Sequence, residues 1–221
     1  MTRALTFGRR PALSGKADSL VVFLHGYGAD GADLLGLADP LAPHLPGTVF
    51  LAPDAPDACA GNPFGRQWFS IPRFDGTSPE AAAAGLEAAA QDLVAFLRER
   101  MQAEGLSADR LALVGFSQGT MMALHVAPRL ATGLAGVVGF SGRLLQPERL
   151  AVEALSRPPV LLIHGDADPV VPYADMAAAE AALDAAGFAV VCHTSKGLGH
   201  GIGPDGLGLA LQFLQDRFGQ A

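Results

Sequence analysis

Gly115-Phe116-Ser117-Gln118-Gly119 is the stretch that decides the fold, because it joins a strand pattern to a helix pattern through one tight turn. The apolar run Leu111–Phe116 before it is typical of a buried strand, and Thr120–Leu124 after it begins a helix. Its Gly-x-Ser-x-Gly pattern holds a serine hydroxyl out above the edge of a sheet. The flanking glycines lack Cβ and tolerate the close backbone approach of a strained turn.

Outward from this turn, short apolar runs alternate with segments of helical character. The predicted strands are Ser19–Leu24, Thr48–Ala52, Leu111–Phe116, Gly136–Phe140, Val160–His164 and Ala189–Thr194. The predicted helices are Ser78–Glu104, Ser117–Pro128, Tyr173–Ala186 and Asp205–Phe218. This alternation predicts a three-layer α/β fold, with a mostly parallel central sheet and helices on both faces. Ligands of such sheets gather beyond the carboxyl ends of the strands.

The composition indicates a globular protein and argues against one class of partner. Half of the 221 residues are hydrophobic and 17% are charged, which predicts a single domain spanning 1–221 with a large core. A net charge of −7 argues against nucleic acid as a partner. We expect the Arg9-Arg10 doublet to lie in a solvated turn, and Cys59 and Cys192 to be ordinary thiols.

The sequence has no apolar targeting segment and no run long enough for a membrane-spanning helix. We therefore expect no integral membrane segment and a cytoplasmic location. The oligomeric state is not determined by the sequence, and a homodimer is compatible with it.

A serine hydroxyl is a poor nucleophile until a histidine, itself oriented by a carboxylate, takes its proton. The predicted strand Val160–His164 is followed by a loop with two acids, Asp166 and Asp168. His200 lies in a glycine-rich loop before the last helix. Serine, acid and histidine thus follow the chain order of α/β-hydrolases. Spacing alone does not separate Asp166 from Asp168.

Two backbone N–H groups normally stabilise the oxyanion in this chemistry. The turn supplies one of them, from Gln118. The second is expected from His25-Gly26-Tyr27-Gly28-Ala29-Asp30, which directly follows the strand Ser19–Leu24. Our candidate is the N–H of Tyr27. We expect His25 itself to brace this loop through hydrogen bonds.

An apolar cluster lies between the second strand and the first long helix, and it is too irregular to predict a regular element. Its members are Phe64, Trp68, Phe69, Ile71 and Phe74. One interpretation is ordinary packing under a long loop. The other is a flap that lines an acyl pocket, with Trp68, Phe69 and Ile71 as candidate substrate-binding residues.

Together these segments resemble the phospholipase/carboxylesterase family of small α/β-hydrolases, which includes bacterial carboxylesterases and acyl-protein thioesterases. The resemblance covers nearly the whole chain. It is carried, in order, by Phe23-Leu24-His25-Gly26-Tyr27-Gly28, Ala52-Pro53-Asp54-Ala55-Pro56, Gln67-Trp68-Phe69, Gly115-Phe116-Ser117-Gln118-Gly119, Phe140-Ser141-Gly142, His164-Gly165-Asp166-Ala167-Asp168 and Gly199-His200.

The resemblance implies an enzyme without metal or cofactor, whose triad corresponds to Ser117, Asp168 and His200. It selects Asp168 because the family's acid precedes the Pro-Val-Val segment. It also implies oxyanion donors at Tyr27 and Gln118. The chain departs from the family where Tyr27 replaces a common Leu and Ser70 a frequent Asp, which bears on the shape of the acyl pocket.

The expected activity is that of a serine carboxylesterase acting on small to medium acyl esters through an acyl-enzyme intermediate, with no large lid domain. The substrate is then a small-molecule ester or thioester. An acyl-protein or small-molecule thioesterase, or a lysophospholipase-like activity, would use the same residues. A catalytically silent binding module would have lost a triad residue, and none is lost.

Overall fold

The computed structural model describes residues 2–219, which are organised around a central sheet. The strands are β1 (Phe7–Arg10), β2 (Ser19–Leu24), β3 (Thr48–Pro53), β4 (Asp57–Cys59), β5 (Asn62–Gln67), β6 (Leu111–Phe116), β7 (Gly136–Phe140), β8 (Val160–Gly165) and β9 (Val190–Ser195). Seven of them form one sheet in the order β1-β3-β2-β6-β7-β8-β9, and β4 pairs with β5. Only β1 runs antiparallel to its neighbour in the large sheet. The predicted mostly parallel sheet is confirmed.

Helices cover both faces of this sheet. They are α1 (Gly31–Leu35), α2 (Ala38–Leu41), α3 (Pro72–Asp75), α4 (Pro79–Glu104), α5 (Gln118–Val126), α6 (Pro147–Glu153), α7 (Ala174–Ala185) and α8 (Pro204–Phe218). Side chains alternate between the faces along a strand. Leu20 and Val22 of β2 accordingly join one core cluster with residues of α4, α5 and α7, whereas Val21 and Phe23 join a second with residues of α1, α2 and α8. The predicted three layers are present.

The longest helix, α4, begins and ends where its sequence dictates. The Ser78 side chain caps it by accepting a hydrogen bond from the N–H of Ala81, and Pro79 occupies the first turn. Gly105 ends it in the left-handed conformation, at φ 68°. Its buried stripe, which includes Leu93 and Leu97, packs against the sheet.

Two segments differ from the sequence prediction. Arg9 and Arg10 lie in edge strand β1 rather than in a turn, and Arg9 pairs with Glu104 of α4 at 3.0 Å. The region thought too irregular for regular structure holds β4, β5 and α3. Its strands depend on partners distant in sequence: Arg66 of β5 accepts from the N–H of Gly28 and donates to the carbonyl of Ala29.

Among residues 2–219, no helix has both the length and the apolar character needed to cross a bilayer.

Candidate active site

Ser117 occupies a strained turn between β6 and α5. Its backbone lies at φ 52° and ψ −114°, a region that residues other than glycine rarely adopt. Its N–H donates to the carbonyl of Phe140 at 2.8 Å, which fixes the turn to β7. A Cβ on Gly119 would lie 1.8 Å from the carbonyl oxygen of Leu24, and one on Gly115 would lie 2.5 Å from the Gly119 carbonyl carbon. Both glycines are therefore required.

Asp168, in the loop after β8, holds His200, in the loop after β9. His200 Nδ1 lies 2.7 Å from one carboxylate oxygen of Asp168. The other oxygen accepts from the N–H groups of Val170 and Val171 at 2.8 and 3.0 Å. Burial of this carboxyl raises its pKa, but the hydrogen bonds from His200 and the two amides outweigh that effect, and the net pKa is lowered. Asp168 is thus a buried, ionised acceptor.

The imidazole of His200 packs on the ring of Phe116, with the ring centroids 4.8 Å apart. Since Phe116 directly precedes Ser117, this contact brings the histidine to the turn. The structure thereby gathers Ser117, Asp168 and His200 at the carboxyl ends of β6, β8 and β9, the edge of the sheet where the sequence analysis expected them.

Asp166, the alternative acid, has a different role. Its carboxylate accepts from the N–H of Gly197 at 2.6 Å and pairs with Lys196 Nζ at 3.2 Å. These contacts, the Gly197 hydrogen bond first, lower its pKa. Asp166 therefore braces the start of the His200 loop, and in residues 2–219 its carboxylate makes no hydrogen bond to His200.

The two expected oxyanion donors lie in fixed backbone. Gln118 is the first residue of α5, so its N–H has no partner within the helix. Tyr27 lies between β2 and α1, in a loop held by the buried ring of His25. Nδ1 of this ring lies 2.7 Å from the carbonyl of Gly26, and Nε2 accepts from the N–H of Ala55 at 2.9 Å. Burial lowers the pKa of His25, so the brace is neutral.

The N–H groups of Tyr27 and Gln118 are not used by the described part of the chain, where neither donates a hydrogen bond to a protein acceptor. The Tyr27 hydroxyl is buried, and it makes no hydrogen bond within the described residues. Burial, and then contact with Cys59, raises its pKa to about 12, and its ring lies 5.5 Å from that of Phe74. The Tyr27 side chain, at the position where the resembled family commonly has Leu, is thus packed and uncharged.

A cleft of about 460 Å³ lies next to the start of α5: Met121 lines it, whereas Ser117 and His200 do not. Phe69 and Ile71, two of the three predicted pocket residues, line it. Sequence reasoning missed other apolar residues of the cleft wall, because they come from segments far apart in the chain. They include Leu86, Met121, Leu145 and Val171. Met121 ties the cleft to the nucleophile turn, since its N–H donates to the carbonyl of Ser117 at 3.2 Å.

The structure does not bring Trp68 to this cleft. Its side chain is fully buried, and the indole N–H donates to the carbonyl of His25 at 3.0 Å. The placement of Trp68 in the pocket is corrected accordingly: it supports the Tyr27 loop from beneath. A large aromatic side chain with one polar atom can fill a core position when that atom finds a partner, as it does here.

The chain is similar to known proteins over most of its length. The family model for phospholipase/carboxylesterase matches residues 12–217. The crystal structure of esterase PE8 is 45% identical, covers 97% of this chain and 99% of its own, and superposes with a TM-score of 0.92. Esterase YpfH of Escherichia coli strain K12 is 32% identical over 200 residues, 90% of this chain and 83% of that protein. Acyl-protein thioesterase 1 of Neurospora crassa is 29% identical over 230 residues, 96% and 94% respectively.

Proposed function

This chain belongs to the phospholipase/carboxylesterase family, and we propose that Ser117, His200 and Asp168 perform its chemistry. It is a serine hydrolase that acts on carboxylic ester bonds. The observation that carries the assignment of residues is the 2.7 Å hydrogen bond between His200 and the buried Asp168 carboxylate, beside the strained turn at Ser117.

In the first half-reaction, His200 Nε2 takes the proton of the Ser117 hydroxyl as Oγ attacks the substrate carbonyl carbon. Asp168 keeps the other proton on Nδ1 and stabilises the imidazolium that forms. The N–H groups of Tyr27 and Gln118 donate to the oxyanion of the tetrahedral intermediate. One such donor typically contributes about 10²–10³ in rate.

Collapse of the intermediate breaks the bond to the leaving group, which departs as an alcohol with the proton from His200. Ser117 then carries the acyl group as an ester. Water, deprotonated by His200, attacks this ester, and a second collapse releases the carboxylic acid and returns the proton to Ser117 Oγ. The two half-reactions balance with the atoms of the substrate, water and the protein.

The mainly apolar cleft, which Met121 connects to the Ser117 turn, supports small to medium acyl groups as substrates. Thioester hydrolysis is the second candidate, because the same residues would serve it and one relative is named as an acyl-protein thioesterase. A cytoplasmic location belongs to the same proposal, on the sequence alone, and a homodimer is compatible with it.

The test is hydrolysis of p-nitrophenyl esters from acetate to palmitate, with acyl-coenzyme A thioesters in parallel. Ser117→Ala should abolish turnover, whereas Ser14→Ala, at an exposed loop serine, should leave it unchanged. A peak at short or medium chains would agree with the cleft volume. Full activity in Ser117→Ala would overturn the assignment.

A further inference from the structure

The apolar cleft carries three charged side chains in its wall: Arg73, Arg143 and Asp175. Arg143 is exposed and, within residues 2–219, makes no hydrogen bond, ion pair or ring contact. Arg73 lies over the ring of Phe74, 4.6 Å from its centroid, and reaches the carbonyl of Val170 at 3.4 Å, but it pairs with no described carboxylate. Two guanidinium groups therefore face one carboxylate.

Acidic residues outnumber basic residues in this chain, 22 to 15. Many arginines elsewhere pair with a carboxylate within 4 Å: Arg3, Arg9, Arg10, Arg100, Arg110, Arg129 and Arg149. Four other arginines also have no such pair among the described residues, and none of them lines the cleft: Arg66, Arg98, Arg157 and Arg217. Arg73 and Arg143 are thus the arginines without a carboxylate partner that line the cleft, in a chain where acids are in excess.

The backbone that leads to Arg143 is held against the nucleophile turn. A Cβ on Gly142 would lie 3.0 Å from the carbonyl oxygen of Ser117. Ser141, at φ 46°, adopts a conformation that non-glycine residues rarely take, and its N–H donates to the carbonyl of Ile163 at 2.9 Å. The Cα of Arg143 thus has a fixed position relative to Ser117, while its side chain is free to reach a bound molecule.

We propose that Arg143 forms a subsite for an anionic group of the substrate, so that the enzyme favours esters bearing a carboxylate, such as half-esters of dicarboxylic acids. Guanidinium binds carboxylate through paired N–H donors, which gives it an orienting role as well as a charge. The two guanidinium groups outnumber the one carboxylate of the wall, Asp175, whose Oδ2 is buried without a hydrogen-bond partner among the described residues. The proposal rests on the proposed function and specifies its substrate class.

The test compares two esters that share a leaving group and an acyl length: mono-p-nitrophenyl glutarate and p-nitrophenyl pentanoate. The measured quantity is the ratio of their kcat/KM values. Because Arg143 is exposed, its ion pair with substrate is worth only about a twofold to fivefold effect. Arg143→Ala should lower the glutarate:pentanoate ratio by that factor, and Arg143→Lys should lower it less. Added salt should reduce the wild-type ratio through screening.

A second arm places the anion on the leaving group, with 3-carboxyphenyl butanoate against phenyl butanoate. If only the ratio in this arm depends on Arg143, the subsite binds an anionic group on the alcohol side of the ester. Arg98→Ala is the matched control and should leave both ratios unchanged. Ratios that Arg143→Ala leaves unchanged in both arms would overturn the subsite. A wild type that cleaves none of the four esters would instead contradict the proposed function.

Discussion

The side-chain oxygen of Gln118 accepts a hydrogen bond from the backbone N–H of Trp68 at 2.9 Å. Its amide nitrogen donates to the carbonyl of Phe69 at 2.8 Å, and all three residues are buried. One side chain thereby ties the segment that enters the cleft wall to the first turn of α5. The residue proposed to supply an oxyanion N–H also fixes the position of the cleft.

Gln118→Ala should lower the free energy of unfolding by about 2–4 kcal/mol, because it leaves a buried N–H and a buried carbonyl without partners. Urea denaturation followed by circular dichroism measures this change. Gln91→Ala, at an exposed position of α4, serves as the control and should change stability by no more than about 0.5 kcal/mol. Equal effects of the two substitutions would show that the bridge stabilises nothing.

Asp168→Asn should lower kcat by about 10⁴, because an amide cannot hold His200 in the required tautomer. Asp166→Asn should lower it by about tenfold at most, since Asp166 only braces the loop at Lys196 and Gly197. Steady-state hydrolysis of p-nitrophenyl butanoate measures both variants. Losses of the same size would contradict the choice of Asp168 as the acid.

Trp68→Ala should act mainly on stability, at a cost of about 3–5 kcal/mol, because the side chain is fully buried. Phe64→Ala is the aromatic control, since Phe64 is 90% exposed and should contribute little. Thermal and urea unfolding separate the two. A wild-type melting curve for Trp68→Ala would contradict the buried placement.

Ile71→Ala should change chain-length preference instead, because Ile71 lines the cleft. Lost contact with about one methylene of the substrate predicts a roughly fourfold fall in the octanoate:acetate ratio of kcat/KM. The p-nitrophenyl ester series measures it. An unchanged profile would remove Ile71 from the acyl wall.

The contact between Asp205 and His193, near the loop that carries His200, can be tested by changing the pH. Hydrogen bonds from His193 first, and then from Ser195 and the N–H of Gly206, lower its pKa to about 2. A carboxyl with a depressed folded-state pKa stabilises the fold above its unfolded pKa, about 3.9, and loses that contribution as pH falls through the folded value. Wild type should thus exceed Asp205→Asn in urea midpoint at neutral pH, and the difference should shrink between about pH 4 and pH 2. A difference that is independent of pH would exclude ionisation of Asp205 as its cause.

Buried strands were the most predictable part of the fold. β2, β6 and β7 begin and end at the predicted residues, because each is a continuous apolar run bounded by turns. β1 was missed since Phe7–Arg10 holds a single large apolar side chain, and its conformation comes from pairing with β3. The β4–β5 hairpin was missed for a similar reason, as its partners include the distant Gly28 loop.

The candidate site also has residues that local sequence patterns identify and residues that they do not. Ser117 and His200 could be found from local patterns, since a glycine-flanked turn and a glycine-rich loop mark them. Spacing did not separate Asp168 from Asp166; the resemblance selected Asp168, and the structure places that residue against His200. Burial of Trp68 and exposure of Arg143 have no local signal, because both depend on which distant segments pack around them.

The most direct test of the central claim is covalent labelling with a fluorophosphonate, which phosphonylates an activated serine and mimics the tetrahedral intermediate. We predict one adduct per chain, located by peptide mass spectrometry on Ser117, with loss of esterase activity in proportion to labelling. His200→Ala should label far more slowly, whereas His44→Ala, at an exposed histidine, should label at the wild-type rate. Labelling at another residue, or full labelling of Ser117→Ala, would contradict the account.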